Sequence, residues 1–406
     1  MTRSNKKAIV APQNTDLNKG DQCLNVNAVR FLERRGYEAS VLEVAAGPEH
    51  ARRQKHQTQH VLDLLQNPMR HPARSGRTDG RGAVLRQAVY GFMDMIVYGA
   101  SAFGPKYISR FLHPKFVRRL EETDVVFSKG GGFFHSANGL RGFYYLFFVS
   151  YIFLLARKYD CETAFLPNSF GPFTSRWDKF LAKRVLKECK VVYTREEISH
   201  DYLNSMGIKN TLAPDLAFLT PPREPESCNG KIGVTVRPWR GVGRETYERY
   251  LQEIANLIHN RPDHTFVLVA QSFGPSEHED DRIAIHEILE RLKDCSNVET
   301  IQEELYFEDM LEIYGQFNFM VATRFHSALF AYASGVPAIT IAYSGFKAQG
   351  IMKDLNMEDF SLEMRNLQPG KLIQLFDRMV AQRNTQSKKV RKGYGKLHAL
   401  FEEIEL

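Results

Sequence analysis

Three cations and one imidazole each follow a short apolar run in the second half of the chain: Arg237, Arg324, Lys347 and His326. Such runs predict buried strands, and parallel α/β sheets bind ligands at the carboxyl ends of their strands. A guanidinium matches the geometry of phosphate and carboxylate, and an imidazole can carry a proton to a reacting atom. Any one of these charges could be a solvated loop residue, but together they favour a site for a small, highly charged anion.

Two glycine-containing segments follow predicted strands in the first half. In the segment 18–21, Gly20 allows a close approach of the backbone, and Asp21 is either a functional carboxylate or an ordinary helix N-cap. In the segment 129–135, three successive glycines leave the backbone open to a ligand, and His135 follows them. A histidine in such a place is more often incidental, so its role stays open. The glycines are not followed by Gly-Lys-Ser/Thr, which argues against a nucleoside triphosphate.

Two further segments offer polar groups at predicted strand ends. The segment 167–173 is rich in turn residues, and Asn168 and Ser169 could hydrogen-bond a sugar, although a structural turn explains them as well. Arg195 stands between a strand and a helix, where it is either a surface charge or a fork that binds an anion.

These segments are connected by alternating strands and helices, which predict an α/β fold with two Rossmann-like domains that face a cleft. The polar, proline-rich stretch 220–231 is the predicted linker. We therefore expect an N-terminal domain over 1–222, a C-terminal domain over 231–380 and a C-terminal helical segment over 381–406. Strands are predicted at 8–11, 40–44, 124–128, 163–167, 191–194, 211–213, 232–236, 265–270, 298–301, 319–322 and 338–342.

The region 45–120 does not show this alternation of strands and helices. Residues 45–82 are crowded with Gly, Pro, His and Arg and predict an insertion or a mobile loop, whereas 83–120 has helical spacing. The apolar stretch 143–156 is too short to span a bilayer and predicts a buried helix. Basic residues are concentrated in one part of this region: Arg52, Arg53, Lys55, Arg70, Arg74, Arg77, Arg81 and Arg86.

The composition limits the class of protein. The chain has 406 residues, of which 43% are hydrophobic and 25% charged, as in ordinary globular proteins, with a formal net charge of +7. The surplus charge is too diffuse for a nucleic-acid binder. Five widely spaced cysteines form neither a zinc motif nor a disulfide framework. The start of the sequence has no signal-peptide pattern, so we expect a cytoplasmic protein.

In order and spacing, the segments resemble the polysaccharide pyruvyl transferase family over nearly the whole chain. The resemblance rests on 18–21, 130–132, 168–173, 195–199, 214–215, 324–327 and 335–347. The chain departs from the family in having Glu196 where an aspartate is common, and Pro167-Asn168-Ser169 in place of Gly-Gln-Ser-type residues. The resemblance implies a GT-B-like fold and transfer of the pyruvyl group of phosphoenolpyruvate to a sugar as a ketal, as in exopolysaccharide synthesis.

The resemblance also implies roles for the residues. Arg324 and Lys347 would bind the phosphate or carboxylate of phosphoenolpyruvate, with Arg195 or Arg237 as the second anion clamp. His326 would be the general acid. Asp21 or His135, from the opposite domain, would be the base or would position the acceptor. Residues expected to bind the acceptor are Asn18, Gly131, Gly132, Asn168 and Ser169. This chemistry requires no metal or other cofactor.

We expect the acceptor to be a galactose- or mannose-type residue on a lipid-linked unit or a glycan. The basic stretch 51–86 and the aromatic segment 83–112 could rest against an anionic membrane. Two other functions stay open at this point: a GT-B glycosyltransferase that uses a nucleotide sugar, and a non-catalytic sugar-binding or scaffold protein.

Overall fold

The computed structural model describes residues 6–13, 16–43, 63–65, 92, 96–97, 99–136, 139–223, 228–274, 277–343 and 345–406. The chain divides into two compact units. The first comprises residues 1–16, 24–216 and 406, and the second comprises 17–23 and 217–405.

The first unit is built on an eight-stranded sheet in which every described strand pair is parallel. Seven strands run in the order β3-β2-β1-β4-β6-β7-β8, and β5 pairs with β6. The first strand thus lies beside the fourth, as in doubly wound folds, and the carboxyl ends of this pair form the topological switch point. The strands are β1 (Lys6–Gln13), β2 (Tyr37–Glu43), β3 (Asp63–Leu65), β4 (Val125–Ser128), β5 (Gly131–Ser136), β6 (Glu162–Phe173), β7 (Val191–Thr194) and β8 (Thr211–Leu212).

The core of this unit contains one strongly apolar helix. Residues such as Leu146, Ile152 and Phe153 are buried with the sheet residues Val126 and Phe165, because a helix that is apolar on all sides must be covered on all sides. The predicted buried helix is therefore confirmed. The helices are α1 (Lys19–Glu33), which begins in the second unit, α2 (Pro114–Glu121), the apolar α3 (Gly139–Ala156), α4 (Arg176–Leu186) and α5 (Glu197–Ser205).

The second unit has a six-stranded parallel sheet in the order β11-β10-β9-β12-β13-β14, which is the Rossmann order. Its switch point lies between β9 and β12. The strands are β9 (Ile232–Thr235), β10 (Phe266–Val269), β11 (Val298–Ile301), β12 (Phe319–Ala322), β13 (Ala338–Ala342) and β14 (Ser361–Glu363). The helices are α6 (Arg244–His259), α7 (Asp281–Leu289), α8 (Phe307–Gly315), α9 (Phe325–Ala333), α10 (Gly345–Asp354) and α11 (Lys371–Ala399).

Two parts of the sequence prediction are wrong in detail. The segment 167–173 was expected to be a turn at the end of a strand, but residues 168–173 are the second half of β6, with which β5 pairs. The helical spacing over 83–120 does not give one helix: a 3₁₀ helix, Lys106–Phe111, and α2 follow Pro105 and His113. Proline has no N–H to donate and disfavours helical backbone in the residue before it, so helices begin at or after Pro105 and Pro114.

The division of the chain differs in three respects from the domains expected. Residues 17–23 group with the second unit, and the division near the predicted linker falls between 216 and 217. The expected separate segment 381–406 begins inside α11, which is continuous. Most of the predicted insertion 45–82 lies outside the described residues, and its described part, 63–65, is the strand that pairs with β2.

Among the helices that the structure describes, none is both long and apolar enough to cross a membrane.

Candidate active site

The Rossmann strand order explains why two of the predicted cations lie at one place in the second unit. β9 and β12 are neighbours and run parallel, so the residues that follow them emerge at the same edge of the sheet. Arg237 is the second residue after β9, and Arg324 is the second after β12. The two arginines therefore flank the switch point, where this fold class binds its ligands.

Arg237 is a buried cation that forms no direct ion pair with a carboxylate among the described residues. Its side chain is only 7% exposed, and no hydrogen-bond partner reaches its Nε atom. The guanidinium carbon lies 4.4 Å from the ring centre of Trp239 and 4.2 Å from that of Tyr343. The two aromatic rings hold the guanidinium in place but do not neutralise its charge.

Burial lowers the pKa of Arg237, and the positive charge of Arg324 acts in the same direction, whereas Tyr343 and the carboxylates of Asp281 and Glu279 oppose this shift without reversing it. An arginine still keeps its proton under such conditions. The cost of burying the charge is therefore not relieved by deprotonation, and an anion at this position would offset it.

Arg324 is neutralised by a carboxylate that the sequence analysis did not identify. Its Nε and Nη2 atoms donate to Asp281 Oδ1 at 2.9 and 2.6 Å, and Nη2 also donates to the carbonyl of Glu279 at 2.9 Å. Asp281 is fully buried and accepts from the backbone N–H groups of Gln271 and Ser272 as well. Burial alone would lower the pKa of Arg324, but the Asp281 carboxylate outweighs it and raises that pKa. These bonds use one edge of the guanidinium and fix its plane.

His326 lies in the first turn of α9 and packs against Gly20. A Cβ atom at position 20 would lie 2.5 Å from Cγ and 2.8 Å from Cβ of His326, which is closer than real side chains approach. The close approach that the sequence predicted at Gly20 is thus confirmed, but the group that approaches is the imidazole of the protein itself.

Residues 17–23 are attached to the second unit by backbone pairing. Asn18 forms an antiparallel bridge with Ser272, and the N–H of Lys19 donates to the carbonyl of Gln271 at 3.1 Å. The Asn18 carboxamide oxygen accepts from the N–H of Gly20 at 3.0 Å. Asp21 lies in the first turn of α1 and is partly exposed. Asn18 and Asp21, which were assigned to the N-terminal domain, therefore belong to the same unit as His326.

A buried lysine was missed by the sequence analysis. Lys19 has no exposed surface, its Nζ donates to Glu304 Oε1 at 3.2 Å, and it lies 5.5 Å from the ring centre of Phe273. Because Glu304 lies far along the chain, the spacing of residues gave no signal for this pair.

Lys347 lies in α10, directly after β13. Its side chain lies outside the described part of the chain, so its predicted role as an anion ligand stays a prediction.

In the first unit, Arg195 is paired in a similar way to Arg324. Its Nη1 donates to Asp215 Oδ2 at 2.5 Å, and its Nε donates to Ser169 Oγ at 2.7 Å. Asn168 donates through Nδ2 to Ser128 Oγ at 2.6 Å. Asn168, Ser169 and Asp215 are fully buried. Ser169 and Asp215 therefore fix the direction of the Arg195 side chain, and Asn168 ties β6 to the end of β4.

The glycines after β4 serve the packing of the chain. Gly130 and Gly131 have φ angles of 78° and 95°, and a Cβ at Gly130 would collide with the side chain of Leu216. Gly132 is partly exposed on β5. His135 lies on the same strand, with its ring 5.2 Å from that of Tyr145.

The structure thus brings Arg237, Arg324 and His326 to one edge of the second sheet, and Arg195 and the glycines to the corresponding edge of the first. The first group provides a buried cation that has no ion-pair partner among the described residues, at the same sheet edge as a histidine, which suits binding of an anion and transfer of a proton. Among the described residues, no group of three or more His, Cys, Asp or Glu side chains is placed to hold a metal ion.

Comparison with solved structures identifies the fold. The chain is similar to the S. aureus MnaA–UDP co-structure, with a TM-score of 0.59 and 10% identity over 97% of this chain and 94% of that one. It is similar to sucrose-phosphate synthase from Thermosynechococcus elongatus, with a TM-score of 0.54 and 13% identity over 98% and 95% of the two chains. It is also similar to the spinosyn rhamnosyltransferase SpnG complexed with thymidine diphosphate, with a TM-score of 0.50 and 12% identity over 98% of this chain and 99% of that one. At these identities the similarity shows a GT-B-like fold, as the sequence predicted.

A family comparison gives the more specific result. The model of the polysaccharide pyruvyl transferase family matches residues 18–345, which include Gly20, Arg195, Arg237, Arg324 and His326. Since the match covers most of the chain, the protein belongs to the polysaccharide pyruvyl transferase family.

Proposed function

We propose that the protein transfers the pyruvyl group of phosphoenolpyruvate to two hydroxyls of a sugar and releases phosphate. Family membership supports transfer of a pyruvyl group in polysaccharide synthesis. The observation that supports an anionic donor is Arg237, a buried guanidinium at the switch point of the second sheet that pairs with no carboxylate in the part of the chain that the structure describes. Phosphoenolpyruvate carries a phosphate and a carboxylate, and either can take up the charge of a guanidinium through paired hydrogen bonds.

In this proposal Arg237 binds the donor and Arg324 supports the site. Because Asp281 already neutralises Arg324, the second cation contributes an oriented N–H donor more than net charge. Lys347 follows β13 and is the further candidate for the phosphate. This division assigns the charge on the donor to Arg237 and Lys347.

His326 is the proposed general acid. It protonates the methylene carbon of phosphoenolpyruvate, the electrons of the C=C bond form the new C–H bond, and C2 becomes cationic. A sugar hydroxyl then adds to C2 and loses its proton to a base, for which Asp21 and His135 are the candidates. A second hydroxyl displaces phosphate from C2 with loss of its own proton. The products are the cyclic ketal and inorganic phosphate.

We propose a galactose- or mannose-type acceptor on a lipid-linked unit, as expected from the sequence, and a reaction on the cytoplasmic side. All five cysteines are free, which suits a reducing compartment.

The second candidate is a GT-B glycosyltransferase. The observation that favours it is the fold, because two of the similar structures are described with a bound UDP or thymidine diphosphate. A nucleotide would need a pocket for its base and a group that binds ribose.

The test is release of inorganic phosphate from phosphoenolpyruvate in the presence of a panel of galactosides, mannosides and N-acetylhexosaminides. We expect release that depends on one sugar and a product heavier by one pyruvyl ketal. Thermal stabilisation by UDP or thymidine diphosphate, without stabilisation by phosphoenolpyruvate, would favour the glycosyltransferase.

Arg237→Lys tests the assignment of the donor site. Lysine keeps the charge but loses the planar fork and its stacking, so phosphate release at low phosphoenolpyruvate should fall about 10- to 100-fold. Arg249→Lys is the matched control, because Arg249 pairs with Glu245 at the surface of α6 in the same unit. Equal activity of the two variants would remove Arg237 from the donor site.

A further inference from the structure

One segment of the first unit exposes large aromatic side chains although it has a fixed structure. Phe103, Tyr107 and Phe111 are 58%, 64% and 56% exposed. They recur every four residues across the end of a helical turn and the 3₁₀ helix Lys106–Phe111. Scattered exposed aromatics are common, but three within the nine residues 103–111 concentrate exposed apolar surface on one short segment.

Cations are interleaved with these aromatics. The guanidinium of Arg110 lies 5.7 Å from the ring centre of Tyr107 and 5.3 Å from that of Phe111, and Lys106 lies 4.5 Å from the ring of Tyr159. Both cations are exposed. No Asp or Glu occurs anywhere in residues 95–120, so no acidic neighbour within this segment offsets the charge. We call Phe103, Lys106, Tyr107, Arg110 and Phe111 the aromatic–basic surface.

The opposite side of the segment is anchored in the unit. Ala102 and Leu112 are buried in the core with α3. The Ser109 hydroxyl is buried, donates to the carbonyl of Lys106 at 2.6 Å and is hydrogen-bonded to the hydroxyl of Tyr159, and Lys158 Nζ donates to the carbonyl of Gly104. The aromatic–basic surface is therefore held outward by bonds on its inner side.

Aromatic rings with adjacent cations fit the boundary between lipid headgroups and acyl chains. Aromatic side chains favour that boundary, and each Lys or Arg close to an anionic bilayer adds favourable electrostatic energy. Aromatic residues and Arg are enriched at the centre of a protein–protein interface but Lys is depleted there, so the exposed Lys106 on the same 3₁₀ helix favours a bilayer over a protein partner. A single-stranded nucleic acid would need a longer basic groove than these two cations provide.

We propose that the aromatic–basic surface docks the protein on a membrane that contains anionic lipids. The binding itself does not depend on the reaction. Its purpose, access to a lipid-linked sugar, rests on the proposed function.

The test measures binding of the full chain to phosphatidylcholine vesicles with and without phosphatidylglycerol by co-sedimentation. We expect binding that requires phosphatidylglycerol and weakens with salt. Lys106→Glu/Arg110→Glu and Tyr107→Ser/Phe111→Ser should each lower the partition coefficient at least about tenfold. Circular dichroism of each variant confirms that it is folded.

The matched control is Lys388→Glu/Lys392→Glu on α11 in the second unit, which changes the net charge by the same amount on another exposed basic stretch. Its partition coefficient should stay within about twofold of the unmodified chain. Equal losses in the control and in Lys106→Glu/Arg110→Glu would mean diffuse attraction and overturn the proposal. Vesicle binding as strong as that of the wild type in both surface variants would also overturn the proposal. A shift between monomer and dimer in these variants would instead indicate a protein interface, and binding of an oligonucleotide but not of vesicles would indicate a nucleic-acid site; either result would overturn it too. The vesicle-binding assay does not require catalytic activity, so its result can be interpreted even if the proposed reaction is not observed.

Discussion

The imidazole of His326 is located by a residue that has no side chain. Gly20 lies in the first turn of α1, where an alanine would suit the helix better, yet the ring of His326 occupies the space that a Cβ would need. The helix gives up a favourable residue at this position so that the histidine can approach the backbone. This cost is understandable if the position of the ring matters for the reaction.

Gly20→Ala is therefore expected to displace the imidazole while helix formation is preserved. If His326 is the general acid, kcat should fall about 10²-fold, and the Michaelis constant for phosphoenolpyruvate should change much less. The measurement is steady-state phosphate release with the thermal midpoint recorded in parallel.

Gly395→Ala in α11 is the control for this substitution, because no described atom outside the adjacent backbone of its own helix lies within 4 Å of the Cβ that it would introduce. It should leave kcat unchanged and stabilise the helix by about 0.5–1 kcal/mol. An unchanged kcat in Gly20→Ala would argue against a proton-transfer role of His326.

A second prediction concerns the buried pair Asp281–Arg324. Asp281→Ala leaves a buried guanidinium without its carboxylate and should lower the free energy of unfolding by about 3–5 kcal/mol. Asp377→Ala removes the carboxylate of an exposed pair with Arg261 and should cost less than about 1 kcal/mol. Urea denaturation followed by circular dichroism compares the two. Similar losses would mean that Asp281 does not compensate the charge of Arg324.

At the scale of elements, the sequence identified strands better than it identified their ends. The apolar runs 191–194, 319–322 and 338–342 coincide with β7, β12 and β13, because short buried strands leave a continuous apolar signal. The second half of β6 was taken for a loop, since Asn168, Gly171 and Pro172 are typical of turns. It extends because β5 pairs with it, and that pairing depends on a neighbour that local composition does not reveal.

The same distinction applies to the candidate site. The position of Arg237 and Arg324 followed from the rule for parallel sheets, which needs only the order of the elements. The counter-charges did not follow, because Asp281 and Asp215 reach their arginines through tertiary packing. The sequence therefore predicted which groups meet at the sheet edge, but not which of them are already neutralised.

A third prediction concerns the start of α4. The Ser175 hydroxyl accepts from the N–H of Asp178, and the Asp178 carboxylate accepts from the N–H of Ser175 at 2.7 Å and from the Thr174 hydroxyl at 3.1 Å. Burial alone would raise the pKa of Asp178, but these hydrogen bonds outweigh it and hold the pKa below its usual value.

Because this pKa is lower in the folded state, the charged form of Asp178 stabilises the fold above the ordinary aspartate pKa of about 3.9. That contribution is lost as the pH falls through the depressed value. Asp178→Asn should lower the free energy of unfolding by about 1 kcal/mol at neutral pH. This difference from the wild type should become smaller below about pH 4. Urea denaturation of both proteins at several pH values between neutral pH and about pH 3 measures this difference in the free energy of unfolding. A difference that is constant with pH would contradict the role of the charge.

At the scale of the whole molecule, sequence order does not match the division into units. Residues 17–23 come between β1 and the rest of α1, yet they group with the second unit. The N–H of Phe273 donates to the carbonyl of Leu17 at 3.1 Å, and the N–H of Phe307 donates to Gln22 Oε1 at 2.9 Å. A fragment that begins at residue 217 would lack these partners as well as the neighbour of His326. The second unit therefore needs a segment that the chain encodes near its beginning.

Trp239, one of the aromatic residues that contact Arg237, is a natural fluorescence probe of the site. The chain contains two tryptophans, of which Trp177 is 60% exposed on α4 and Trp239 stacks on the Arg237 guanidinium. Replacing Trp177 with phenylalanine would leave a single indole whose emission senses the charge beside it. Titration of that variant with phosphoenolpyruvate, or with phosphate alone, would then report occupancy of the site through intrinsic fluorescence before any acceptor sugar is known.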